Sequence, residues 1–263
     1  MKFNITLASI ALSALFAGQA QANGFVNGAF ESGNANGWTV GEGYRGDNDN
    51  ASLSPSQFLP GGALYGGGES RSGIVTLGDI DPIIGAALGN TVYSGNYSYR
   101  AEDVYTGGYA SAVSQKVSNY TDKDIFFAWK AVLENGGHEN NGSAALFITL
   151  HDDTTNENLI SRFYNAGTDG GGVDSRFSTK DNYFYTGDWQ IEQLAIGADR
   201  LGHDFTLSLL AADCYYTAHT GYAYLDGFGN VAPPIPEPTT YGMMLGGLGL
   251  LALAKRRKDK QAK

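Results

Sequence analysis

One cysteine, Cys214, stands in 263 residues, so no internal disulfide can brace the fold. Basic side chains are scarce as well: 17 against 27 acidic ones, for a formal charge of −10. Setting aside Lys2 and the last nine residues, which carry six basic and one acidic side chain, leaves −16 for the rest. A body of that charge excludes nucleic acid as an expected partner, and it attracts divalent cations or cationic polymers. Long amphipathic helical patterns are missing, which leaves short strands and turns as the building material. The four histidines, His138, His151, His203 and His219, form no His-x-x-x-His pair, and a single cysteine cannot build a zinc knuckle, so zinc is not expected. His219 reads as a buried or turn histidine beside Cys214. Neither a Gly-x-Ser-x-Gly elbow nor a His-Glu-x-x-His motif occurs, and a non-enzyme is the expectation.

Glycine and aromatic rings are what the chain has in plenty, with 37 glycines and 12% Phe, Trp and Tyr. Segments of strand character run over 91–100, 110–117, 125–133, 144–151, 159–164, 189–194, 204–211 and 221–226, most of them bounded by Gly, Asn or Asp. In Phe205-Thr206-Leu207-Ser208-Leu209 apolar residues alternate with hydroxyls, as on a strand with one buried face. Residues 152–156, Asp-Asp-Thr-Thr-Asn, read as a hairpin turn. The spacing predicts an all-β fold, a single jelly-roll-like β-sandwich over 23–230. Residues 41–73 and 165–182 are the loop-rich stretches. Trp38, Trp129 and Trp189 are expected in the core. Tyr105, Tyr109 and Tyr183, beside Gly, Asn or Asp, are the rings expected to stack on sugars.

The two ends carry their own signals. Lys2 is followed by an apolar stretch over 5–16, too short to span a bilayer, and then by Ala20-Gln21-Ala22, the small-x-small pattern that signal peptidase accepts. A signal peptide over 1–22 is expected. At the other end a proline-rich spacer (231–240) precedes an apolar run (241–254) and a basic tail (255–263) opening on Lys255, Arg256, Arg257 and Lys258. Prolines hold the spacer extended, the apolar run enters the bilayer, and the cations stop transfer on the cytoplasmic side. At about 1.5 Å per residue the run covers about 21 Å of the roughly 30 Å hydrocarbon core, which suits a transient membrane helix.

Pro236-Glu237-Pro238, the short apolar segment and the basic cluster together resemble the PEP-CTERM sorting signal. That resemblance implies export, transient retention in the inner membrane, processing by an exosortase near the Pro-Glu-Pro, and delivery to the cell surface or an exopolysaccharide matrix. A second resemblance concerns the body. Asn27-Gly28-Ala29-Phe30-Glu31 with Gly37-Trp38 is similar to the opening strand of galactose-binding-like carbohydrate-binding modules, and residues 219–226 resemble their closing strand. In those modules a Glu and an Asp at these places share a structural calcium, which implies Glu31 and Asp226 here, against a hydrogen-bonded strand end. Asp47 and Asp49 read as a solvated acidic loop, since no Glu follows at the EF-hand spacing, and Arg45-Gly46-Asp47 as a chance tripeptide. The expected function is polysaccharide binding at the surface or in the matrix. The alternatives are a structural or adhesive protein acting through protein contacts, and a secreted glycan hydrolase or lyase.

Overall fold

The computed structural model describes residues 24–167 and 172–229. Twelve strands among them form two antiparallel sheets. The five-stranded sheet has the order β1-β4-β11-β6-β7, from β1 (Thr39–Tyr44), β4 (Tyr109–Val117), β11 (Phe205–Ala212), β6 (Ala145–Asp152) and β7 (Glu157–Asn165). The seven-stranded sheet has the order β2-β3-β12-β5-β9-β8, from β2 (Gly73–Thr76), β3 (Tyr97–Ala101), β12 (Gly221–Gly229), β5 (Asp124–Glu134), β9 (Tyr183–Tyr185) and β8 (Ser178–Lys180). The seventh strand, β10 (Gln190–Ala195), pairs with the first half of β5 and β9 with its second half. This is the expected all-β sandwich.

Alternation places the core. Along β5, Ile125, Phe127, Trp129, Ala131 and Leu133 point between the sheets, where they meet Leu146, Ile148 and Leu150 of β6 and Leu207 and Leu209 of β11. Trp38 and Trp129 lie in this core as expected. Trp189 does not. It is half-buried on the outer face of the larger sheet, with its indole N–H on Asn90 O at 3.0 Å.

Irregular chain covers part of each outer face. On the smaller sheet Leu53 and Phe58 pack on Ala110, Ala112, Leu210 and Ala212. Phe58 ends the four-residue helix α1 (Pro55–Phe58). On the larger sheet Ile84 and Leu88 pack on Val132, Tyr222 and Tyr224, whose two hydroxyls donate to buried Asp81. These covers explain where sequence and structure part. The stretch 41–73, expected as loop, contains most of β1, which carries Gly41 and Gly43 because the cover lies on it. A Cβ at Gly41 would sit 2.2 Å from Phe58 O, and one at Gly43 1.7 Å from Leu64 O. Of the expected 91–100 strand only residues 97–100 form, as part of β3 (Tyr97–Ala101), since residues before it belong to the other cover. The opening segment around Phe30 is turn rather than strand, with Asn27 (φ 51°) and Phe30 (φ 56°) in the left-handed region. It still reaches the last strand, through Phe228 N to Gly28 O at 3.1 Å.

Register fixes two ends. At one, the loops 102–108, 135–144 and 213–220 emerge from the termini of β3, β5 and β11. At the other lie the turns 118–123, 153–156 and 196–204.

Candidate functional site

The loop end gathers aromatic rings around one cation. Arg71, just before β2, bonds the Glu102 carboxylate through Nε, and its Nη2 lies 2.9 Å from Asp103 Oδ1 and 3.7 Å from Asp213 Oδ2. Its guanidinium carbon stands 4.3 Å above the Tyr109 ring, and Tyr44 meets that ring edge-on at 5.5 Å. Nη2 also reaches Tyr105 O at 3.5 Å. Tyr44, Tyr105 and Tyr109 are 50%, 71% and 36% exposed, so three rings face solvent together here. The structure thus brings the expected Tyr105 and Tyr109 together, and adds Tyr44 and Arg71.

Three carboxylates share a single guanidinium here, and two of them are fully buried. Glu102 has its carboxyl pushed up to about 7, because burial outweighs Ser111 Oγ (2.6 Å to Oε2) and Arg71. Asp213 is raised well above the usual carboxylate range by burial and by the neighbouring Glu102 charge. It accepts Gly221 N at 3.1 Å and Tyr109 N at 3.3 Å. Glu102 also sits at φ 68°, a left-handed backbone for a charged residue, which marks the end of β3 as locally strained. Sequence reasoning missed Arg71, Glu102 and Asp213. They are separated by 31 and 111 positions, and no spacing rule joins them.

Tyr183 stands apart from this cluster. It is half-buried on the outer face of the larger sheet, opposite Glu134 in register, and burial with Glu134 raises its hydroxyl to about 12. Arg45 is buried and donates to Asp213 O at 2.6 Å, Ser143 O at 3.3 Å and Asn50 Oδ1 at 2.8 Å. Arg45-Gly46-Asp47 is therefore an internal brace between loops rather than a displayed tripeptide, while Asp47 and Asp49 are exposed.

Glu31 and Asp226 meet through one loop. Asp226, buried in β12, accepts Tyr93 N at 2.9 Å and Ser94 N at 3.1 Å on Oδ2, and Gly227 N at 2.6 Å on Oδ1. Glu31 accepts Asn96 N at 2.9 Å and Tyr97 N at 3.1 Å. Burial, with a contribution from Glu31, raises the Asp226 carboxyl well above its usual range, and no ion pair neutralises it among the described residues. Tyr93 Oη and Ser94 Oγ on the same loop are buried without a protein partner. A charge deficit and orphaned oxygens fit a hard cation, although all four carboxylate oxygens already accept an N–H.

The fold also joins histidines that the sequence keeps apart. His138 Nε2 lies 3.0 Å from His219 Nδ1, which is 3.4 Å from Cys214 Sγ. Burial and the neighbouring His219 lower the His138 ring's affinity for protons, and burial pushes the Cys214 thiol up.

The end of the chain decides its routing. Residues 234–258 match the PEP-CTERM protein-sorting motif. The chain carries an exosortase-type export signal. Pro236, Glu237, Pro238 and the basic residues Lys255, Arg256, Arg257 and Lys258 all fall inside the matched span. The signal peptide over 1–22, the spacer, the apolar run 241–254 and the basic tail lie outside the described residues. Among those described, no helix is long and apolar enough to cross a membrane.

Solved structures similar to this chain include carbohydrate-binding modules. TmCBM61 in complex with β-1,4-galactotriose shares 10% identity at a TM-score of 0.40, over 78% of this chain and 96% of that one. CBM28, specific for non-crystalline cellulose, shares 9% at 0.39, over 80% and 95%. CBM27-1 of Caldicellulosiruptor saccharolyticus, in complex with mannohexaose, shares 12% at 0.35, over 76% and 93%. These are distant likenesses, and the sandwich stands on its own strand pairing. No curated protein sequence matches the chain.

Proposed function

We propose that this is an exported, non-catalytic protein of the cell surface or extracellular matrix, and that it binds polysaccharide at the loop end. The observation that carries the reading is the exposed trio Tyr44, Tyr105 and Tyr109 around Arg71. Aromatic faces stack on the apolar faces of sugar rings, and flanking charged groups supply hydrogen bonds. The covers over both sheets support this placement, because they close much of the outer surface beside the loop end. Tyr183, on the rim of the same end, is a secondary contact. Signal peptidase and exosortase are the partners during export, with transient anchoring in the inner membrane. The test is retention of the processed protein on affinity gels of neutral and acidic polysaccharides, the producer's own exopolysaccharide included. Retention lost in Tyr105→Ala and Tyr109→Ala supports the reading. Absence of retention on every polymer removes it, and self-assembly without glycan would then favour the structural or adhesive alternative.

Catalysis is the second reading, and Glu102 favours it, because a carboxyl near 7 is what a general acid in glycan cleavage requires. Its complete burial under Arg71 and Ser111 weighs against access to a scissile bond. Release of reducing sugar abolished by Glu102→Gln would establish that reading instead. A structural calcium on Glu31 and Asp226 completes the proposal, supplying the positive charge that buried Asp226 lacks. Saturating calcium should raise the melting midpoint, because binding adds about 2.7 kcal/mol of stability at about 100 times the dissociation constant. An unchanged midpoint with and without chelator would leave the two carboxylates as a loop clamp alone.

A further inference from the structure

The loop end holds a second cluster, of different chemistry from the tyrosines. His138 lies on the loop between β5 and β6, and Cys214 and His219 on the loop between β11 and β12. One ligand atom from each, two imidazole nitrogens and one sulfur, all lie within 4.8 Å of one another. Zinc bonds imidazole nitrogen at about 2.0–2.1 Å and thiolate sulfur at about 2.3 Å, so a tetrahedral site has edges of about 3.3 Å between nitrogens and about 3.6 Å from nitrogen to sulfur. Two of the three separations, 3.0 Å and 3.4 Å, are a few tenths shorter, as expected of atoms that meet directly and would part slightly around an ion, and the third lies within 4.8 Å.

Local structure holds these groups in place. Cys214 N donates to His219 O at 3.0 Å and Thr217 N to Cys214 O at 3.1 Å, which closes the loop and brings the two side chains onto one side. Thr217 takes φ 67° to allow that turn. Gly136 makes room for the imidazole, since a Cβ there would sit 2.1 Å from His219 Nδ1. The Tyr216 ring packs on His138 at 4.0 Å between centroids. His219 Nδ1 serves two neighbours at once, although a ring nitrogen with one lone pair or one proton can satisfy only one of them. Coordination to a common ion would satisfy all three atoms.

We propose that His138, Cys214 and His219 form a three-ligand site for a late first-row divalent metal, zinc(II) by the chemistry of its donors, with a fourth position left for water or a further ligand. Binding replaces the thiol S–H bond by a sulfur–metal bond and releases that proton to solvent; no oxidant or reductant is needed. The ion would cross-link the loops 135–144 and 213–220, a tie that a chain with a single cysteine cannot make by disulfide. The site is independent of the glycan reading and would stand if that reading failed. It runs against the expectation of no zinc, which rested on sequence spacing: His138 is 76 positions from Cys214.

The test is titration of the processed protein, free of any polyhistidine tag, with cobalt(II) and then zinc(II). Cobalt should bind one per chain and give tetrahedral d–d bands in the visible with a thiolate-to-cobalt band in the near ultraviolet, and zinc should displace it. Cys214→Ser should abolish the near-ultraviolet band. His138→Ala, on a half-exposed loop away from the core and so compatible with folding, should weaken zinc at least tenfold and remove the zinc-dependent rise in melting temperature. Failure to bind either ion, or binding and melting shifts unchanged in both variants, would overturn the proposal.

Discussion

The two ends of the sandwich handle charge in opposite ways. At the turn end, Asp152 is buried but well served: Arg200 Nη1 and His203 Nδ1 each lie 2.8 Å from Oδ2, while Thr154 N and Thr155 N donate to Oδ1. Burial opposes its ionisation, and the hydrogen bonds from His203, Thr155 and Arg200 override it, so the carboxyl is held well below its usual value of 3.8. Lys116 spans Asp153 and Asp204 at 3.2 and 3.1 Å beside it. At the loop end, Glu102 and Asp213 are equally buried, share Arg71 with Asp103, and are pushed up instead. One end is neutralised from within. The other is short of positive charge and long on exposed rings, which is the composition that the proposed binding role calls for.

The comparison breaks most directly at Arg71. Arg71→Ala should leave two buried carboxylates without a cation and cost about 3–5 kcal/mol at pH 7. Denaturant melts should recover part of that loss at pH 5, where Glu102 is protonated. A smaller cost, about 1–3 kcal/mol, is expected for Gly43→Ala, because the new methyl would strike Leu64 O under the cover.

The pH dependence should then carry opposite signs. Glu102 is raised from 4.5 to about 7, so its contribution is complete below 4.5 and is lost as pH rises through about 7. Asp152 is lowered, so its contribution is present above 3.8 and is lost as pH falls below that value. Glu102→Gln should flatten the upper slope of a stability profile, and Asp152→Asn the acid slope. If both variants altered the same limb, the contrast between the ends would be wrong. Smaller still, Tyr105→Ala and Tyr109→Ala should each weaken glycan binding about two- to tenfold, or about 0.5–1.5 kcal/mol, with Tyr183→Ala weaker in effect, as read by affinity electrophoresis. Lys116→Ala should change the melting temperature least, and not at all at high salt, since its ion pairs are exposed.

Strand alternation is a local signal, and the strands that show it were legible: β4, β5, β6, β7, β10, β11 and β12 fall within a few residues of expectation. β1 was hidden because its Gly41 and Gly43 answer to a loop far along the chain, and β8 and β9 because three residues are too few to show a period. The 152–156 turn was readable from its own polar side chains, and Asn156 at φ 58° bears it out. Sites fared differently. Tyr105 and Tyr109 stood out as rings among turn residues, but the charges beneath them come from three segments that only the sheet topology brings together. The sorting motif was fully legible, being a contiguous string read by a processing enzyme rather than by folding.

The path of β12 has a consequence for where the rings stand. Its last residue, Gly229, pairs with Phe126 near the start of β5, so the polypeptide leaves the sandwich at the turn end, and Gly24, whose Cβ would fall 2.4 Å from Val117, enters there too. Tyr44, Tyr105 and Tyr109 therefore stand at the pole opposite the one where the first and last described residues lie.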